Sequence, residues 1–112
     1  MSNTALKPET MTRVCELNQI APDTGVCALV DGQQVAIFRI GEQTFAVANG
    51  DPFSGANVLA HGITCSIKDV LCVSSPIYKQ HFCLKTGQCL EDDSVVLQTW
   101  ATEIIDGIIY VS

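Results

Sequence analysis

Apolar residues run along this chain in short stretches cut by turn-forming residues. Residues 26–30 are apolar, Asp31-Gly32 follows, and residues 35–38 (Val35-Ala36-Ile37-Phe38) are apolar again. Asp-Gly between two such runs predicts a hairpin, because its tight turn needs backbone conformations that these residues tolerate. Gly41-Glu42 predicts a second turn ahead of residues 44–48. Further strands are expected over residues 69–73, 81–84 and 95–105, and a last hairpin turns at Asp106-Gly107 into residues 108–111. Short helical turns fit residues 17–20 and 57–60. Many short strands at this spacing predict an all-β domain, a sandwich or a small barrel. No internal repeat, low-complexity tract or linker divides the chain.

Composition narrows the class. The chain has 112 residues, room for one core but not two. Hydrophobic residues make up 47% and charged residues 16%, the profile of a folded chain rather than a disordered one. Six basic residues stand against 12 acidic ones, a formal charge of −6. That balance argues against nucleic acid, whose phosphates need clustered cations, and against an anionic membrane surface. The charge serves either to keep an apolar protein in solution or to steer it to a partner. No apolar stretch approaches the roughly 20 residues needed to span a bilayer. Residues 1–10 lack the apolar centre of a signal peptide, so a flexible tail over residues 1–11 and a cytoplasmic location are expected.

In a reducing compartment the six cysteines, Cys15, Cys27, Cys65, Cys72, Cys83 and Cys89, need not form disulfides. None lies in a Cys-x-x-Cys pair. Cys27 and Cys72 sit inside apolar runs and are expected to be buried and unreactive. The alternative is a nonstandard metal site drawn from Cys65, Cys72, Cys83 or Cys89 with His61 or His81, although the spacings show no convergence. No nucleophilic triad and no phosphate-binding glycine loop are visible. His81 reads as a strand-end histidine, His61 as a turn residue, Trp100 as a half-buried strand residue, and Glu91-Asp92-Asp93 as a solvated turn.

Two loops carry more. Asn49-Gly50-Asp51-Pro52-Phe53-Ser54-Gly55 follows the apolar run 44–48, and Ser74-Ser75-Pro76-Ile77-Tyr78-Lys79-Gln80-His81-Phe82 leads into Leu84-Lys85-Thr86-Gly87. With Leu59 and Gly62 their order and spacing resemble the two cluster-binding loops of Rieske iron–sulfur domains, from about Thr12 onward. The resemblance implies an all-β, Rieske-like antiparallel sandwich or partly open barrel of short strands over residues 12–112. In that family the loops carry Cys-x-His and Cys-x-x-His, two thiolates on one iron and two imidazoles on the other. Asp51 and Phe53 stand at the first pair of positions here, Ser75 and Tyr78 at the second. Oxygen donors and a phenyl ring cannot keep a soft cluster, and a hard cation on Asp51, Ser75 and Tyr78 would lack carboxylates. Phe53 and Tyr78 are expected instead to fill the vacated space.

Asp51-Pro52-Phe53 and Ser75-Pro76, with Pro22-Asp23-Thr24-Gly25, Gln34-Val35-Ala36-Ile37 and Cys89-Leu90-Glu91-Asp92, resemble more specifically the small subunits of bacterial NAD(P)H-dependent nitrite reductases. That resemblance implies a large-subunit partner carrying FAD, an iron–sulfur cluster and sirohaem, which reduces nitrite to ammonia. It implies no cofactor and no catalytic residue in this chain. Asp51, Phe53, Tyr78, Lys79 and Gln80 become the candidate partner contacts. A Rieske-type electron-transfer protein with a nonstandard metal site and a free-standing protein-binding module are the competing readings.

Overall fold

The computed structural model describes residues 11–112, so the expected tail lies outside the described residues except for Met11. β1 (Thr12–Glu16) ends in a short 3-10 turn at Leu17–Gln19. Then come β2 (Thr24–Val30), β3 (Gln33–Ile40) and β4 (Gln43–Ala48), a second 3-10 turn at Leu59–His61, and β5 (Ile63–Ile67), β6 (Val70–Ser74) and β7 (His81–Cys83). β8 (Thr99–Trp100), β9 (Thr102–Ile105) and β10 (Ile108–Val111) complete the chain. The expected Asp-Gly turns are present, with both residues at positive φ: 50° and 81° at Asp31-Gly32, 53° and 76° at Asp106-Gly107.

Among the described residues the strands form three antiparallel sheets, ordered β1-β10-β9, β2-β3-β4-β8 and β5-β6-β7, with no closed barrel. The four-stranded sheet lies in the middle and is covered on both faces. Ala36, Phe38 and Val47 pack with Leu59, Val73, Phe82 and Leu97 on one side. Val35, Ile37 and Ala46 pack with Ile20, Ile109 and Val111 on the other. Side chains alternate across a strand, so a strand buried on both faces must be apolar at every position. That is why Val35-Ala36-Ile37-Phe38 is an unbroken apolar run with no exposed member. Trp100 is half-buried and packs on the second of these cores, as expected for a strand residue.

Polar clasps tie the layers. Arg39 donates to the carbonyls of Ile20 (3.0 Å), Leu17 (3.4 Å) and Gly41 (2.9 Å), anchoring the first 3-10 turn to the end of β3. The Thr44 hydroxyl donates to Thr102 Oγ1 (2.8 Å), and Thr102 Oγ1 donates to the Thr44 carbonyl (3.1 Å), joining β4 to β9.

Three sequence expectations change. The strand expected over 69–73 starts at Val70, because Lys68 and Asp69 (φ 50° and 65°) form the turn that pairs β6 with β5. The strand expected over 95–105 begins only at Thr99, with Val96 making an isolated bridge to Gln88, and breaks at Ala101. Before the break Trp100 pairs with Ala46, and after it Thr102 pairs with Val111, so one run serves two sheets. Cys27 is exposed, because β2 is the edge of its sheet and no layer covers that position.

Candidate functional site

The loops after β4 and β6 meet at one end of the molecule, and their roots are built alike. Asp51 N–H donates to Ala56 O and Gly55 N–H to Asp51 O, both at 2.8 Å. Ser75 N–H donates to Gln80 O (2.9 Å) and Lys79 N–H to Ser75 O (3.1 Å). The turn after β7 repeats the pattern, with Cys83 N–H on Gln88 O (2.8 Å) and Gly87 N–H on Cys83 O (2.7 Å). In each loop the residue four positions on has positive φ: Gly55 77°, Lys79 67°, Gly87 82°. In the first two loops the leading side chain also receives the N–H two positions on: Phe53 N–H reaches Asp51 Oδ1 at 2.9 Å, and Ile77 N–H reaches Ser75 Oγ at 3.2 Å. Such converging amides favour an electron-rich group.

Two of these glycines differ in a testable way. A Cβ on Gly87 would overlap the Leu97 carbonyl, whereas one on Gly55 would meet nothing. A left-handed non-glycine residue costs roughly 1–2 kcal/mol, and overpacking adds about 1 or more. Urea unfolding should therefore show Gly87→Ala losing about 2–3 kcal/mol and Gly55→Ala about 1.

The first two loops are joined at their leading residues. The Ser75 hydroxyl donates to Asp51 Oδ2 at 2.5 Å, with Asp51 1% and Ser75 0% exposed. Burial pushes the Asp51 carboxyl up, but bonds from Ser75, Phe53 N–H and Ser54 outweigh it and hold the group below its usual range. Asn49, also buried, fixes the first loop's base: its Oδ1 accepts Ala60 N–H (2.7 Å), and its Nδ2 donates to Asn57 O and Gln34 Oε1, both at 3.1 Å.

The other candidates fall outside this buried pair. Phe53 is 37% exposed with its ring 6.2 Å from that of Phe82, and Tyr78 is 58% exposed. The expectation that both fill the vacated space is therefore corrected: Asp51 and Ser75 occupy the interior between the loops, and the two aromatic rings lie at the surface. Ile77 is 43% exposed beside them, and Lys79 is exposed. Gln80 accepts Ser75 N–H with its backbone carbonyl, while its Oε1 is buried without a hydrogen-bond partner among the described residues.

His81 Nδ1 lies 2.6 Å from Glu91 Oε2, and its N–H donates to Glu91 Oε1 at 2.7 Å. The acidic run thus has one tethered member, whereas Asp92 and Asp93 are exposed as expected. His61 is exposed in its 3-10 turn. Among the described residues no group of three or more Cys, His, Asp or Glu side chains converges on a metal position.

An all-β domain with two matched loops meeting at one end defines the Rieske-like class, and the Rieske-like [2Fe-2S] domain family matches residues 10–112. The NADH nitrite reductase small subunit of Salmonella typhimurium is 42% identical over 98 residues, 86% of this chain and 91% of that one. The solved structure of the Escherichia coli protein NirD superposes with a TM-score of 0.84 at 38% identity, covering 90% of this chain and 94% of that chain. A stretch of the Klebsiella oxytoca NAD(P)H nitrite reductase large subunit, 11% of its length, is 31% identical over 107 residues, 96% of this chain. The chain belongs to the Rieske-like family of nitrite reductase small subunits.

The family description includes a [2Fe-2S] cluster, and the loop residues of this chain do not fit one. The paired residues supply carboxylate and hydroxyl oxygens already committed to N–H and O–H donors, and Phe53 supplies no donor atom. A cluster of this kind takes thiolate and imidazole. The same commitment leaves Asp51 poorly suited to a hard cation, which wants several free oxygens.

Proposed function

We propose that this chain is a non-catalytic subunit of a cytoplasmic NAD(P)H-dependent nitrite reductase, holds no cluster, and docks on the large subunit through the tip of its two loops. The observation that carries this reading is the buried Asp51–Ser75 bond, which closes the loops from within and leaves Phe53, Ile77 and Tyr78 facing outward with Lys79. Loops held on a rigid scaffold commonly serve as contact surfaces, and exposed aromatic side chains make strong anchors when covered. The Klebsiella oxytoca relative supports the partner: a chain named as large subunit contains a segment similar to this whole domain.

In this assembly FAD, the iron–sulfur cluster and sirohaem belong to the large subunit, where nitrite is reduced to ammonia. The small subunit carries no electrons; Asp51, Phe53, Tyr78, Lys79 and Gln80 position or stabilise its partner. The acidic surface suits neither nucleic acid nor membrane. The test is to co-express both chains and recover one through a tag on the other, then compare nitrite reduction with and without the small subunit. Co-purification, with the isolated small subunit folded and free of iron and sulfide, is the expected result. Failure to associate, together with unchanged nitrite reduction on omission, rejects docking; stoichiometric iron and sulfide rejects the cluster-free assignment.

A further inference from the structure

Three cysteines line up across the sheet that feeds the second loop. Cys65 on β5 pairs directly with Cys72 on β6, and Cys72 pairs with Cys83 on β7. The Cys65 and Cys72 sulfurs are 3.4 Å apart, already in contact. Residues directly opposite in antiparallel strands have Cα atoms about 4.5–5.5 Å apart, inside the roughly 4.4–6.8 Å span of disulfides. Rotation of the two side chains can bring the sulfurs together without moving either strand.

Cys83 differs from its neighbours. Burial pushes its thiol up, but the Thr86 hydroxyl, the Thr86 and Lys85 amides and the Lys85 charge outweigh it and hold the group below its ordinary range, whereas its sulfur makes no close contact with Cys72 like that of Cys65. Cys72 is buried, whereas Cys65 is half-buried at the sheet edge and open to a small reagent.

We propose that Cys65 and Cys72 are a dithiol that a small-molecule disulfide oxidises to a cross-strand disulfide. The Cys65 thiolate attacks one sulfur of the reagent, breaking its S–S bond and releasing one half as a thiol. Cys72 then attacks the Cys65 sulfur, forms the protein S–S bond and expels the second half. The two cysteine thiol protons pass to the two leaving thiolates, and the two electrons reduce the reagent to two thiols. Burial pushes the Cys72 thiol up to about 12, with Cys65 beside it adding to the shift, which assigns the first attack to Cys65. The product would staple the β5–β6 hairpin, whose second strand runs directly into Ser75.

The experiment incubates the full chain with oxidised glutathione, blocks the remaining thiols in denaturant and maps disulfide-linked peptides by mass spectrometry. The expected result is an intramolecular Cys65–Cys72 link that dithiothreitol removes, that Cys65→Ser abolishes and that Cys83→Ser retains. Circular dichroism first establishes that each variant is folded. Cys65 is only half-buried and Cys83 half-buried, so both replacements avoid the core position of Cys72. A Cys72–Cys83 link in the unsubstituted chain, or no internal link in the folded protein, overturns the proposal.

Discussion

Asp51→Ala is expected to lower the domain's stability by about 4 kcal/mol, because each hydrogen bond to a charged acceptor contributes roughly 1.5–3 kcal/mol. The carboxylate accepts from the Ser75 hydroxyl and the Phe53 N–H, and its removal leaves a fully buried hydroxyl without its acceptor. For a domain near 100 residues that loss corresponds to a fall in Tm of roughly 15–25 °C. Calorimetry on Asp51→Ala, Ser75→Ala and the double variant should show strong non-additivity, since both single changes break the same bond. Additive losses would mean that the two residues act separately.

The same pair makes a prediction about acid. The Asp51 carboxyl is held below its ordinary 3.8 in the folded state, so its contribution is present in full above that value. It is lost as pH falls through the lower, folded-state value, because the unfolded chain takes up the proton first. Glu91 is lowered in the same direction: burial opposes the shift, but the His81 N–H and ring outweigh it. Stability measured from pH 6 downward should therefore fall less steeply below about 4 in Asp51→Asn than in the unsubstituted protein.

The second large effect is on assembly. Ile77→Asp with Tyr78→Asp should weaken association with the large subunit about ten- to a hundredfold, the cost of losing one or more apolar anchors. Both side chains are substantially exposed, so the isolated domain should lose no more than about 0.5 kcal/mol, the usual range for surface changes. Phe53 is a poorer choice, because its ring leans toward the core residue Phe82 and its loss would mix folding with docking. Surface plasmon resonance on the purified subunits separates the two. Unchanged affinity in the double variant would place the interface elsewhere.

Much of the fold was legible from turn chemistry. The Asp31-Gly32 and Asp106-Gly107 hairpins and both 3-10 turns follow from local sequence. The β5–β6 hairpin was not legible, because Lys68-Asp69 takes on positive φ without the glycine that usually signals such a turn. β8 and β9 read as one strand, since nothing in an apolar run records that its halves pair with different sheets.

At the site, the two loops and the positions Asp51 and Ser75 were legible through resemblance. Their mutual bond was not, because it joins residues 24 positions apart and depends on how the layers pack. Side-chain chemistry alone favours the aromatic residues as space fillers, since burial suits phenyl and phenol better than carboxylate and hydroxyl. The buried carboxylate instead meets enough donors to offset its desolvation. The third loop carried a partial signal, a glycine four residues after its leading cysteine, as Gly55 follows Asp51.

The Asp51–Ser75 bond also bears on supply. Loops joined by a metal centre reach their final shape only after inorganic components are delivered, and they lose it when those components are withdrawn or oxidised. Loops joined by a carboxylate and a hydroxyl are complete as soon as the polypeptide has folded. On the cluster-free assignment proposed above, iron shortage leaves the folding of this subunit unaffected.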